Sequence, residues 1–132
     1  MRAQCQCGQL SAEVAGPADA VSACHCLDCQ RRSGSPFGVI AYFPADDVSV
    51  VGESERYTRA TDSGATLTTG FCPECGSTVW ARADKHMGQI GIPVGAFADP
   101  AFPPPMRSVF EDRRHSWVQM PADIPRYPRG RT

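Results

Sequence analysis

The sequence has no long apolar run, no block of like charge and few windows with the spacing of an amphipathic helix. Its longest apolar run, 37–43, is far too short to cross a bilayer, and the N-terminus lacks the apolar stretch of a signal peptide. The formal net charge is -1, so the chain offers few contacts for phosphate groups. We therefore predict a cytoplasmic protein that binds neither a membrane nor nucleic acid.

Short strands take the place of the missing helices. Twelve glycines and twelve prolines divide the 132 residues into short segments. Alternation of Leu10, Ala12 and Val14 with polar neighbours predicts a strand, as does the β-branched and aromatic run at 37–43. Further strands are predicted over 48–51, 54–59, 66–71, 78–83, 89–94 and 106–111, and a short helix over about 27–32. We expect a mostly β, single domain of short antiparallel strands over 1–132, in which 120–132 is a tail rich in proline and arginine, docked or loose.

The seven cysteines cannot all pair as disulfides within one chain, and each belongs to a closely spaced group. The groups are Cys5 with Cys7, then Cys24, Cys26 and Cys29, then Cys72 with Cys75. A closed zinc site takes four ligands in a tetrahedron, which the first and last pairs would supply together. The three remaining sulfurs would give a second zinc an open position, as in catalytic sites. We predict both sites.

Local sequence favours the four-cysteine assignment. Residues two apart on a strand project to the same face, so Cys5 and Cys7 can direct both sulfurs at one ion. Gly8 and Gly76 follow the two pairs, and glycine adopts the positive φ that lets backbone amides point at sulfur. We therefore expect both glycines to form knuckles around the metal.

Alternative interpretations use the same thiols. The spacing of Cys72 and Cys75 also occurs in thioredoxin-like redox pairs, but those lie at a helix start, and strands are predicted on both sides here. Iron and iron–sulfur sites use the same ligands, although structural sites of this spacing most often hold zinc. Purely structural roles for both metals would make the chain a non-enzymatic zinc-binding structural or interaction module.

The histidines and tryptophans are not assigned to a metal site. His25 stands between two cysteines that point one way, so we expect its ring to point the other way and not to bind the metal. His86 and His115 are isolated and are assigned to no site. We expect Trp80 and Trp117 in the core because their surroundings resemble strands.

Arg31 and Arg32 follow the three-cysteine group directly. A guanidinium group pairs well with a carboxylate, although exposed arginines are usually only solvated. These two residues are therefore the candidates for contacts with the carboxylate of an anionic thiol.

The order of motifs CxCG, CHCxxCQ and FCPxCG, with Ser33-Gly34-Ser35-Pro36-Phe37 after the second, resembles the glutathione-dependent formaldehyde-activating enzyme family, which includes the centromere-protein-V-like proteins. The segment 95–100 and Trp117 also resemble family features, so the resemblance covers nearly the whole chain. It implies a β-rich, tent-like zinc fold. Cys5, Cys7, Cys72 and Cys75 match the structural site of the family, and Cys24, Cys26 and Cys29 match the catalytic one.

The resemblance also implies an activity. Members of the family join formaldehyde to glutathione to give S-hydroxymethylglutathione, and the reverse reaction is that of a carbon–sulfur lyase. We therefore expect a zinc-dependent enzyme of the carbon–sulfur lyase type, with two zinc ions per chain. Its partner would be a small thiol such as glutathione, combined with formaldehyde or a related substrate.

Overall fold

The computed structural model describes residues 1–131 and confirms a mostly β fold. The strands are β1 (Arg2–Gln4), β2 (Ser11–Val14), β3 (Ala20–Cys24), β4 (Gly38–Pro44), β5 (Val48–Val51), β6 (Glu55–Ala60), β7 (Thr66–Phe71), β8 (Thr78–Ala83), β9 (Gln89–Pro93) and β10 (Arg107–Val109). The α-helix α1 spans Leu27–Ser33, and 3-10 turns cover Ala45–Asp47, Asp84–His86, Val94–Phe97 and Glu111–Arg113. No helix in this part of the chain is long and apolar enough to span a membrane.

The chain folds into two compact units. The first consists of Met1–Asp19 and Ala41–Phe102, and the second of Ala20–Ile40 and the chain from Pro103 onward. β4 begins in the second unit and ends in the first. The single domain predicted over 1–132 stays a prediction, because two compact units can belong to one domain.

The first unit is built from antiparallel strands. β2 lies between β1 and β5, with Ala12 opposite both Ala3 and Val50. Leu10, Ala12 and Val14 are buried and Glu13 is exposed, as the alternation predicts, but the polar Ser11 is buried as well. β9, β8, β7 and β6 are neighbours in that order. Each of the two cysteine pairs assigned to the closed site lies beside a strand of this unit.

The second unit contains a parallel strand pair, which differs from the antiparallel pairing expected throughout. β3 runs beside β10, with Cys24 opposite Val109. The apolar cluster of the second unit contains Ala23, Val118 and Met120. Phe37, Val39 and Ile124 pack against it.

The tail is docked over 120–131, and Thr132 lies outside the described residues. The backbone of Ser108 donates to the Pro125 carbonyl at 3.0 Å and accepts from the Tyr127 amide at 2.9 Å. The Phe110 amide donates to the Arg129 carbonyl at 2.8 Å. These bonds add the tail to the side of β10, so it forms part of the second unit.

Most predicted strands agree with the structure. Those at 48–51, 66–71 and 78–83 have the bounds of β5, β7 and β8, and the others are shifted or shortened. The prediction at 106–111 is too long because Phe110 adopts a positive φ of 56° and Glu111 begins a 3-10 turn. β1 and β3 were missed, since β1 has three residues and the small residues of β3 (AVSAC) do not alternate.

The core position predicted for Trp117 is wrong. Its side chain is 69% exposed, and its ring meets that of His115 edge-on at 6.5 Å between centroids. Trp117 lies in a turn rather than a strand, and the neighbouring Val118 and Met120 fill the core instead. Trp80 is partly buried, and its indole nitrogen donates to the Ser54 hydroxyl at 3.0 Å.

Candidate metal centres

The first unit brings four cysteines together. The sulfurs of Cys5, Cys7, Cys72 and Cys75 all lie within 4.8 Å of one another, a group that could hold a metal ion. The Sγ atoms of Cys5 and Cys7 are 3.6 Å apart, as are those of Cys7 and Cys72. Tetrahedral zinc places thiolate sulfurs at about this separation. The donor set therefore fits the four-ligand site predicted from sequence.

Two glycine turns shape this group. Gly8 and Gly76 have φ values of 85° and 80°, which confirms the positive φ expected of them. The Gly76 amide donates to the Cys72 carbonyl at 2.8 Å and the Gly8 amide to the Cys5 carbonyl at 3.2 Å. Cys5 and Cys7 lie in the turn after β1 rather than on a strand, so the turn and not strand alternation brings their sulfurs together.

Several N–H groups point at the sulfurs. The Leu10 amide donates to Cys5 Sγ and the Glu74 amide to Cys72 Sγ, both at 3.3 Å. The side-chain amide of Gln9 donates to Cys72 Sγ at 3.1 Å and to the Glu53 carbonyl at 2.7 Å. Donors of this kind stabilise thiolates, which are the form that binds zinc. Sequence reasoning missed Gln9, whose only signal is its place directly after the CxCG motif.

The thiols of Cys7 and Cys75 have different pKa values. Donors from the Ser77 hydroxyl and amide lower the pKa of Cys75 to about 5. For Cys7 the Gln9 backbone acts in the lowering direction, but burial and the neighbouring thiols raise its pKa to about 12. Four adjacent thiolates repel one another, and a divalent cation is what allows all of them to carry charge.

The second unit brings the other three cysteines together at the end of β3 and the start of α1. The sulfurs of Cys24, Cys26 and Cys29 all lie within 4.8 Å of one another. Cys26 is the N-cap of α1, and its sulfur accepts a hydrogen bond from the Cys29 amide at 3.3 Å. Within residues 1–131, no fourth cysteine, histidine or carboxylate side chain joins this group. Three thiol donors fit a zinc ion with one open position.

Neighbouring thiols also shift the pKa values of Cys24 and Cys29. Interactions with the Cys26 and Cys29 thiols, followed by burial, raise the pKa of Cys24. For Cys29 the Cys24 thiol acts in the lowering direction, but Cys26 and burial raise the pKa, while the Arg32 charge lowers it. As in the first group, ionisation of all three thiols requires a nearby cation.

The ring of His25 is not part of the sulfur group, as the sequence predicted. It is completely buried, and its Nε2 lies 2.9 Å from the Ser108 hydroxyl and 3.3 Å from a Glu111 carboxylate oxygen. Burial lowers the pKa of His25, whereas the Glu111 carboxylate acts in the opposite direction. Sequence reasoning missed Ser108 and Glu111, because no local motif links them to His25, which lies 83 positions before Ser108.

The structure separates the two arginines. Arg31 is exposed on α1, whereas Arg32 is half-buried beside Gly38. A Cβ atom placed on Gly38 would lie 2.6 Å from Arg32 Nη2 and 3.6 Å from the Cβ of Cys29. The missing side chain at position 38 therefore provides space for the guanidinium group next to the three-cysteine group.

A protein-family model described as glutathione-dependent formaldehyde-activating enzyme matches residues 1–119. A relative from Talaromyces marneffei is 34% identical over 84 residues, which are 62% of this chain and 44% of that protein. A relative from Sordaria macrospora is 33% identical over 64 residues, 48% of this chain and 27% of that protein. Both names contain the words glutathione-dependent formaldehyde-activating enzyme, and the chain spans less than half the length of either relative.

The crystal structure of a Rhodobacter sphaeroides protein has a similar fold. The TM-score is 0.58 at 19% sequence identity, and the match covers 96% of this chain and 99% of that one. This likeness concerns the fold alone.

Proposed function

Because the chain belongs to the glutathione-dependent formaldehyde-activating enzyme family, we propose that it forms S-hydroxymethylglutathione, or a related adduct, from a small thiol and formaldehyde. In this reaction the thiol sulfur forms a bond to the formaldehyde carbon, the carbonyl π bond breaks, and the oxygen takes up a proton. The reverse reaction breaks the carbon–sulfur bond, which is the chemistry of a lyase. The observation that carries the proposal is the group of three cysteines without a fourth protein ligand among the described residues.

Each cysteine group has a distinct role in the proposal. Cys5, Cys7, Cys72 and Cys75 would hold a structural zinc ion, since four sulfurs leave no place for a substrate. Cys24, Cys26 and Cys29 would hold a second zinc ion with one open position. Such an ion lowers the pKa of an incoming thiol, so it would supply the reactive thiolate near neutral pH.

Arg32 is the residue that we propose for substrate positioning, in preference to Arg31. Its guanidinium group lies over Gly38, next to Cys29, where it can meet a thiol donor that approaches the cysteine group. Glutathione carries two carboxylates, and arginine binds a carboxylate through two parallel hydrogen bonds. Arg32 would thus hold the thiol substrate in place by its carboxylate.

Native mass spectrometry with and without glutathione tests the proposal. We expect the chain to carry two zinc ions and to form one glutathione adduct. Cys26→Ser should lose one ion and the adduct, because it removes one of the three ligands of the open site. The same variant should form S-hydroxymethylglutathione no faster than the uncatalysed reaction.

Two outcomes of this experiment would contradict the proposal. Two zinc ions without an adduct would favour the non-enzymatic zinc-binding module, in which both metals only support the fold. An unchanged rate of adduct formation in Cys26→Ser would show that the three-cysteine group takes no part in catalysis.

The cytoplasmic location stays a prediction from the sequence.

A further inference from the structure

His25 is held at both its backbone and its ring. Its amide donates to the Val109 carbonyl at 3.1 Å, and its own carbonyl accepts from the Gln30 side chain at 2.9 Å. The ring is completely buried, 5.5 Å from the ring of Phe37 between centroids. A residue fixed in this way between Cys24 and Cys26 restricts the backbone of both neighbours.

The hydrogen bonds that start at the His25 ring have a defined donor and acceptor at each step. The Ser108 hydroxyl donates its single proton to a Glu111 carboxylate oxygen at 2.5 Å. The Ser108 oxygen must therefore accept from Nε2–H of His25, 2.9 Å away. This places the proton of the neutral ring on Nε2, and Nδ1 has no hydrogen-bond partner among the described residues.

Two arginines complete the chain of contacts. Arg114 Nε lies 3.1 Å and Arg126 Nη1 3.8 Å from the second carboxylate oxygen of Glu111. The Glu111 side chain is only 14% exposed, so these contacts fix its orientation. Glu111 is therefore a firm anchor for Ser108 and, through it, for the ring of His25.

We infer that the His25–Ser108–Glu111 hydrogen-bond chain is a positioning network that sets the backbone between Cys24 and Cys26 and thereby the geometry of the three-cysteine group. This inference rests on the proposed function, in which that group holds a metal ion. The hydrogen bonds described for the network run from His25 to Ser108 to Glu111 and include no sulfur, so it acts through the backbone of His25. Its effect is to bring repelling thiolates close together before the metal arrives, in the way that outer partners orient the ligands of other metal sites.

Cobalt(II) titration followed by visible absorption tests the inference, because thiolate-bound cobalt reports both affinity and geometry. Cys26→Ser identifies the spectrum of the three-cysteine site by difference from the wild type. Glu111→Gln preserves the size of the side chain but weakens the hydrogen bond from Ser108, and Ser108→Ala removes that bond. Asp112→Asn is the matched control, because it neutralises the next carboxylate, which contacts Arg129 and not this network.

We expect Glu111→Gln and Ser108→Ala to lower the cobalt affinity of the three-cysteine site by about tenfold to a hundredfold and to change its absorption bands. The four-cysteine site should be unaffected in both variants, and Asp112→Asn should match the wild type at both sites. A purely structural role would lower the melting temperature but leave the bands of the bound ion unchanged.

The outcomes separate this inference from the proposed function. The inference alone is overturned if the wild type binds two ions and the two network variants match the control. In that case the spectra and affinities of Glu111→Gln and Ser108→Ala equal those of Asp112→Asn. A wild type that binds only one ion overturns the proposed function and the inference with it.

Discussion

The position of Arg32 depends on the residue opposite it. Gly38 has no side chain, and the space that a Cβ would fill is taken by the guanidinium group, 2.6 Å from that point. The charge of Arg32 acts against the overall rise in the pKa of Cys29, so the two side chains interact. Arg32 can therefore act in two ways: it can bind a substrate carboxylate, and its positive charge can offset the negative charge of the cysteine group. Substitution of Arg32 would remove both effects together.

Arg32→Gln distinguishes these effects when two thiols are compared. Loss of a charge-assisted hydrogen bond costs about 1.5–3 kcal/mol, which corresponds to a rise in the KM for glutathione of about tenfold or more. The KM for 2-mercaptoethanol, which has no carboxylate, should change little. Arg31→Gln should affect the KM for glutathione less, because Arg31 is exposed. Steady-state kinetics with both thiols measures the difference.

The result that would contradict carboxylate binding is an equal rise in KM for both thiols. That pattern would mean that Arg32 affects thiol binding by offsetting the charge of the cysteine group and not by binding the substrate carboxylate. Gly38→Ala provides a second test, because the added Cβ would push the guanidinium group away without removing its charge. It should reproduce the effect of Arg32→Gln on glutathione.

The cysteine groups could be predicted from the sequence, but the network behind them could not. Spacings of two or three residues, followed by glycine, already restrict which sulfurs can meet at one ion. The partners of His25 lie far along the chain, and serine and glutamate are too common to indicate such a contact. The choice between Arg31 and Arg32 likewise depends on Gly38, a residue on another element.

At the scale of elements, the pair of strands β7 and β8 supports the knuckle that carries Cys72 and Cys75. Their register is irregular at Gly70 and Phe71, and Trp80 lies directly across Gly70. A Cβ on Gly70 would lie 1.9 Å from Cε2 of Trp80, which is too close for any real contact. The indole ring is held by its bond to Ser54 and by Arg56, 5.4 Å from the ring centroid.

Gly70→Ala should therefore destabilise the fold by about 1–3 kcal/mol, because the indole must move and lose these contacts. Urea unfolding followed by circular dichroism measures the change. Gly88→Ala is the matched control, since a Cβ there meets nothing within 4 Å, and it should stay within about 0.5 kcal/mol of the wild type. Equal stability of the two variants would show that Trp80 adjusts without cost.

Strand prediction was accurate for β5, β7 and β8 and missed β1 and β3, of which the first has three residues and the second consists mostly of small residues. β7 and β8 are six residues each, and their predicted bounds agree with the structure. β3 was missed, although it carries Cys24, because its residues do not alternate and its parallel partner β10 lies far along the chain. Such pairing depends on distant residues, which a local pattern does not contain.

At the scale of the whole molecule, the four-cysteine group brings together distant parts of the sequence. Cys7 and Cys72 are 65 positions apart, yet their sulfurs meet in the first unit. Besides the thiol contacts, two hydrogen bonds join the segments at this point: the Gln6 amide donates to the Ser77 hydroxyl at 3.2 Å, and the Gln9 side chain donates to Cys72 Sγ at 3.1 Å. Binding free energy at such a site contributes directly to the stability of the fold.

Removal of the two proposed zinc ions with a chelator should lower the Tm by at least about 10 °C, since each kcal/mol shifts the Tm of a domain of this size by about 4 °C. Cys26→Ser, which retains the four-cysteine site, should show a smaller fall. Scanning calorimetry with elemental analysis of the same samples provides the measurement. A metal-free chain with the wild-type Tm would show that neither ion supports the fold.

The parallel pairing of β3 with β10 also affects how the protein is made. Cys24, Cys26 and Cys29 are synthesised before β10, and Ser108, which contacts the ring of His25 between them, is synthesised 83 residues after His25. At about 5–20 residues per second, that interval is on the order of ten seconds. During it β3 has its neighbour β4 but lacks β10 and the Ser108 contact, so reducing conditions and a ready supply of metal matter most in this interval.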